Sequence, residues 1–192
     1  LYALLARLLL APPDGSLLAD LGAADPICAE GGGHALEEAW DKLTLAASVI
    51  DAAAVADEFD ALFVSIGTPR INPYGSFYQS GYLNDTPLAG LREDLARLRL
   101  GRAGSTGEFE DHLGALCETM RVLITGMPAL ARQPVDGQQR FFDKHIAPWH
   151  ARCLADIANA EDANFYRLVA GFALSFFALE AEAFAFEENI HD

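Results

Sequence analysis

EFEDHLGALCETMRVLITG, residues 108–126, decides the fold class. Phe109, Leu113, Leu116, Cys117, Met120, Leu123 and Ile124 recur at the three- and four-residue spacing of one helical face. Glu110, Asp111, Glu118 and Arg121 fall outside that face, and Ser105 with Glu108 three residues later has the form of a capping box. The expectation is a helix from about Glu108 to Gly126. Neighbouring segments repeat the pattern and none alternates like a strand, so the chain is predicted to be a single all-α domain over residues 1–192, a helical bundle.

Working outward, an apolar helix over residues 1–10 stops at Pro12-Pro13-Asp14-Gly15. Because Leu1 already lies inside this pattern, the expectation is that residues precede it, and no secretory signal pattern is read there. After the Gly31-Gly32-Gly33 loop, Leu36, Trp40, Leu43, Ala47 and Ile50 mark a second long helix, and Val55, Phe59, Leu62, Phe63 and Ile66 mark a third. Thr86-Pro87 is read as N-cap and first helical residue, with Leu88, Leu91, Leu95 and Leu98 on one face and Gly101 as the stop. A helix over 136–159 is predicted to break near His145 because of Pro148. The last, over 162–187, is apolar nearly all round at its start. Its most apolar part, 165–179, is too short to span a bilayer and carries Arg167, so it reads as a buried core helix.

Composition narrows the function. There are 28 acidic residues against 13 basic, a formal charge of -15. Such a field repels nucleic-acid phosphates and anionic lipid and attracts basic peptides, so nucleic acid is not expected as a partner, and with 165–179 read as a buried helix no stable membrane insertion is expected. Cys28, Cys117 and Cys153 are few, odd in number and far apart, and are expected to be buried apolar groups in a reducing compartment.

Residues 67–82 interrupt the helical pattern. This connection contains Pro69, Pro73, Tyr74, Gly75, Ser76, Phe77, Tyr78, Gly81 and Tyr82. Long ordered connections tend to be functional, and Tyr and Phe give contact area at low entropic cost. The alternative is a loop pinned to the core by its rings. Elsewhere chemistry is sparse: no HExxH, GxSxG, Walker A or EF-hand pattern occurs. The glycine-rich 101–107 segment is read as a flexible connector, since Glu108, Glu110 and Asp111 would repel a phosphate there. Asp111-His112 has the form of an acid–base pair, with helix-start stabilisation as the plainer reading. A metal-dependent hydrolase using His112, Asp111 and His145 is the rival function, and a purely structural adaptor is a second.

Five segments in order carry a resemblance. Residues 58–63, Glu-Phe-Asp-Ala-Leu-Phe, precede the connection; Asn72-Pro73-Tyr74-Gly75-Ser76-Phe77-Tyr78 resembles a Pro-aromatic-(Glu/Gly)-Ser-x-aromatic signature. Glu108-Phe109-Glu110-Asp111-His112 is similar to Glu-Pro-x-Asp-His, departing at Phe109, and His145-Ile146-Ala147-Pro148-Trp149 resembles His-Leu-x-Pro-Trp. Asn164-Phe165-Tyr166 falls where a Phe-Tyr pair opens the last helix. Together these resemble the TorD/DmsD/NarJ family of redox-enzyme maturation chaperones.

That resemblance implies an all-helical, non-catalytic cytoplasmic protein without a cofactor, forming a homodimer by helix exchange in some members. The implied partner is a molybdenum-cofactor oxidoreductase, bound by its twin-arginine signal peptide or its body. The implied peptide-binding residues are Tyr74, Gly75, Ser76, Phe77, Tyr78, Glu108, Glu110, Asp111, His112, His145 and Trp149. The chemistry of these residues fits: carboxylates accept paired hydrogen bonds from arginine, and the rings cover an apolar stretch. Residues 74–78 with 110–118 resemble most closely the members that serve formate dehydrogenases, ahead of dimethyl-sulfoxide- or nitrate-reductase-type clients.

Overall fold

A computed structural model describes residues 1–28, 34–64, 69–101, 107–128 and 130–191, with side chains through 186. Among these there are ten α-helices, one π-helical turn and no strand, as the all-α reading requires. The glycine run 31–33, Ile66, Gly67, Thr68, Ser105 and most of the 101–107 connector lie outside the described residues. The chain divides into two compact units: Leu1–Leu10 with Asn72–Cys153, and Ala11–Ile71 with Leu154–Asp192.

In the first unit, α1 (Tyr2–Leu10) packs on α7 (Leu113–Thr125). Gly114 permits this contact, because a Cβ there would meet Leu10 Cγ at 2.8 Å. Leu5, Leu8, Leu9, Leu113, Leu116, Cys117, Met120 and Leu123 form the buried seam. The short α5 (Gly75–Ser80), absent from the expectation, forms inside the predicted loop and packs on α6 (Thr86–Arg97). In α6 the N-cap is Asp85, which accepts the Thr86 N–H at 2.7 Å, so the cap lies one residue before the expected Thr86. α6 ends at Arg97, ahead of Gly101, and Arg99 takes the left-handed turn (φ 57°) that glycine was expected to supply.

α7 ends at Thr125 with Gly126 as its C-cap, close to the expected stop, but starts five residues late, at Leu113. Asp111 is drawn off to the backbone of Gly75 and Ser76, and His112 caps the helix at this later point. Phe109 therefore leaves the α7 face and sets its ring edge-on to Tyr74 at 6.1 Å. The predicted break holds: α8 (Val135–His145) stops before Pro148, and α9 (His150–Asn159) restarts after it. α9 belongs to the first unit through Cys153 and to the second from Leu154.

The second unit contains α2 (Gly15–Gly22), α3 (His34–Ala47), α4 (Ala52–Phe59), the π-helical turn Asp60–Val64 and α10 (Phe165–His191). α2 was missed because the Pro-Pro-Asp-Gly stop is also a start: Asp14 caps it, accepting the Leu17 N–H at 2.8 Å. α10 packs on α3, with Trp40 and Phe172 ring centroids 5.3 Å apart.

α10 runs past Leu179, since Ala and Glu continue it without Gly or Pro. Residues Phe165–Phe186 are thus long and apolar enough to cross a membrane by length and composition, which corrects the expectation of too short a stretch. Its first half nevertheless buries Phe165, Tyr166, Val169, Phe172, Phe176 and Phe177. Cys117 and Cys153 are buried, whereas Cys28 is exposed, contrary to expectation.

The start of α10 is held from afar. Glu58, buried on α4, accepts the backbone N–H groups of Asn164 (2.8 Å), Phe165 (3.0 Å) and Tyr166 (2.7 Å). A helix leaves its first N–H groups without internal partners, and here one carboxylate satisfies three. Glu58→Ala is expected to lower folding stability by about 3 kcal/mol, the scale of losing charge-assisted hydrogen bonds in a buried place. Urea denaturation reads this directly; an unshifted midpoint would deny Glu58 that task.

Candidate peptide-binding site

The first unit gathers residues 74–78, 108–112 and 145–149. A single antiparallel bridge joins Tyr74 to His112, and the Leu113 N–H donates to the Pro73 carbonyl at 2.8 Å. The Gly75 N–H donates to the Asp111 carbonyl at 2.9 Å, and the Ser76 N–H to Asp111 Oδ2 at 2.7 Å. Asp111 is buried and thereby caps α5 from a position 35 residues away. Ser76, also buried, accepts the Asn84 N–H on its hydroxyl at 3.2 Å, tying down the turn beyond α5.

His112 is buried and caps α7: its Nδ1 accepts the Gly114 N–H at 3.1 Å. That bond requires a neutral ring with its proton on Nε2. Burial depresses the imidazole to about 4, against the opposing pull of Glu108. Tyr74 donates its hydroxyl to Glu108, and burial together with that carboxylate pushes the phenol upward. Glu110 accepts the guanidinium of Arg92, from Nε at 3.1 Å and Nη2 at 2.9 Å.

Trp149 closes the other side. Its indole N–H donates to the His145 carbonyl at 2.7 Å, and its ring stacks on Tyr78 with centroids 5.7 Å apart. Gly75 suits this packing, since a Cβ there would lie 3.0 Å from Trp149 Nε1, tighter than an ordinary contact. Arg152 donates to the Tyr78 carbonyl at 3.2 Å and lies over its ring at 5.9 Å. His145 contacts Asp94 Oδ2 at 2.7 Å, where Lys144 also donates at 2.7 Å. Burial acts against ionisation of Asp94, but these two contacts outweigh it and hold the carboxyl below its usual range. Burial likewise lowers His145, more than Asp94 raises it.

The eleven sequence-predicted residues therefore divide. Gly75, Ser76, Tyr78, Asp111, His112, His145 and Trp149 are buried and shape the scaffold. Phe77 and Glu108 are exposed, and Tyr74 and Glu110 are half-buried. Tyr82 and Leu83, 73% and 44% exposed, extend the apolar surface past α5. Sequence reasoning missed Arg92, Asp94 and Arg152. Only Arg152 left a signal, its place three residues after Trp149 in the sequence. The hydrolase alternative finds no support: Asp111, His112 and His145 each hold other partners, and among the described residues no group of three such ligands forms a metal site.

A depressed His112 fixes a pH dependence. The unfolded chain takes up a proton near 6.5 and the folded one only near 4, so the unfolded state binds more protons in between. Stability from this group is complete above 6.5 and declines as pH falls toward 4, by on the order of 3 kcal/mol. His112→Asn, which keeps a capping acceptor without that titration, is expected to flatten this part of the stability–pH curve. A variant whose denaturation midpoint falls with acid as steeply as the parent's would rule the assignment out.

The family described as nitrate reductase delta subunit matches residues 31–155, well over half of the chain and all three segments of the site. No curated protein matches the chain. With the all-helical fold and the joined 74–78, 108–112 and 145–149 segments, the match settles its kinship: this chain belongs to the nitrate reductase delta subunit family, the NarJ/TorD-type chaperones of molybdoenzyme maturation.

Proposed function

We propose that the chain acts in the cytoplasm as a single, non-catalytic chaperone domain for the catalytic subunit of a molybdenum-cofactor oxidoreductase. It binds the client's twin-arginine signal peptide or its body and holds back export or assembly until the cofactor is in place. A formate dehydrogenase is the proposed client, and a homodimer is one proposed form of the chaperone. The contact surface is α5 with the 108–112 turn: Phe77, Tyr74, Glu108 and Glu110 touch the client, while Gly75, Ser76, Tyr78, Asp111, His112, His145 and Trp149 position them.

The observation that carries this reading is the Arg92–Glu110 pair. Glu110 already receives two N–H groups of a guanidinium, and the same unit exposes an aromatic side chain, Phe77. A client arginine followed by an apolar stretch presents the same two chemistries. Arg92 then occupies the acceptor that the client needs, and binding exchanges one arginine for another. Since Arg92 is 44% exposed, its own pair is worth under about 1 kcal/mol, so exchange is cheap.

Calorimetry with a synthetic twin-arginine peptide tests the surface. Phe77→Ala with Glu108→Gln is expected to weaken binding about tenfold, near 1.4 kcal/mol, and Arg92→Ala to tighten it by a few-fold. Unaltered affinity in all of these variants would remove α5 and the turn from the binding surface. Pull-down from the native cytoplasm then identifies the client.

A further inference from the structure

The two units differ in charge. Residues 11–71 and 154–192 contain three basic and nineteen acidic side chains, whereas residues 1–10 and 72–153 contain ten basic and nine acidic ones. A carboxylate of the first unit can therefore draw on several cations, and Asp94 on α6 does so. It accepts Lys144 Nζ at 2.7 Å, lies 2.7 Å from His145 Nε2, and pairs with Arg97 on its own helix.

These contacts are unequal. Lys144 and Arg97 are 57% and 70% exposed, and ion pairs in that setting stabilise little. Asp94 and His145 are only 14% and 7% exposed, and the imidazole packs on the Phe141 ring with centroids 4.9 Å apart. An ionised carboxylate only accepts, so Nε2–H donates to Asp94, and this hydrogen bond is the one shielded from water.

His145 is the last residue of α8. Its carbonyl belongs to those that a helix end leaves without an internal partner, because the backbone N–H of Trp149 turns to Ile146 at 3.2 Å. The Trp149 indole N–H takes that carbonyl instead, at 2.7 Å. The buried indole lies nearly parallel to the Tyr78 ring, with 18° between their planes, and Tyr78 meets Phe77 edge-on at 5.5 Å. α5 also packs on α6, the helix that carries Asp94. The contacts close a circuit from α6 through Asp94, His145 and Trp149 to α5 and back. A six-residue helix is not stable alone, so this circuit and the Asp111 cap together set its place.

We infer that Asp94 is a positioning residue of the α5 surface: through His145 it places the Trp149 ring on which α5 rests, and so sets how Phe77 meets a client. It acts as a hydrogen-bond acceptor, with its exposed ion pairs secondary. The inference rests on the reading of α5 as the client-binding surface.

Two signals test it in the full chain. Trp149 emission is isolated by Trp40→Phe, which keeps a ring against Phe172 in the second unit. Asp94→Ala is expected to move that emission to longer wavelength and to weaken binding of the twin-arginine peptide about fivefold. Asp94→Asn retains an acceptor for His145, and Lys144→Ala removes only an exposed pair, so both should stay near the parent. In a Phe77→Ala background, Asp94→Ala should have little further effect on affinity, because both act through one surface. Unmoved emission in Asp94→Ala, no rescue in Asp94→Asn, an equal response from Lys144→Ala, or the same affinity loss with and without Phe77 each overturns the inference. Should Asp94→Ala fail to fold, Asp94→Leu with His145→Phe removes the same link without stranding a buried polar group, and is read in the same way. A parent chain that does not bind the peptide tells against the α5 reading, and Trp149 emission then decides the role of Asp94 by itself.

Discussion

Glu58 on α4 and Asn164 at the head of α10 are 106 residues apart, yet one carboxylate closes the distance by accepting three successive N–H groups. The start of a helix carries unpaired donors and a partial positive charge, and a buried start has no water to satisfy them. α10 supplies the largest fully buried rings of its unit, Phe165, Tyr166, Phe172 and Phe177. Their burial depends on where the helix begins, and Glu58 sets that point. The aromatic contacts of Phe59 and Phe63 with Tyr166, at 5.7 and 5.2 Å, follow from the same placement.

The first unit uses the same device on a smaller element. Asp111 caps α5 through a backbone carbonyl and a side-chain oxygen, and the six-residue helix would have little reason to form without it. Once α5 is fixed, Tyr78 stacks on Trp149 and Phe77 is turned outward. One local choice by Asp111 and His112 thus delays α7, creates the 108–112 turn and orients the exposed ring. The helix forfeits a turn of regular structure at its start, and the surface beside α5 is what results.

Electrostatics divides along the chain in a way that total charge conceals. A value of -15 suggests a uniformly acidic protein, but nearly balanced charge accompanies the 74–78, 108–112 and 145–149 segments. There, carboxylates act pairwise: Glu108 on Tyr74, Glu110 on Arg92, Asp94 on Lys144 and His145. The long-range field comes from the other unit. Short-range contacts select geometry and orientation, whereas an excess of acidic over basic side chains raises the local concentration of cationic partners.

The all-α class was legible because period is a local property: Leu113, Leu116, Met120 and Leu123 announce a face wherever the chain goes, and Pro148 breaks a helix in any context. Motif order likewise made the kinship readable. What sequence could not determine was the use of polar side chains by remote backbone. Asp111 and Glu108 have the composition of a helix start, and only tertiary contacts with Ser76 and Tyr74 draw them out of α7. Arg92 and Glu110 lie 18 residues apart on different elements, and no spacing rule joins them. Which of the eleven candidate residues face outward was decided the same way, because burial depends on what packs above a residue, and sequence specifies only what stands beside it along the chain.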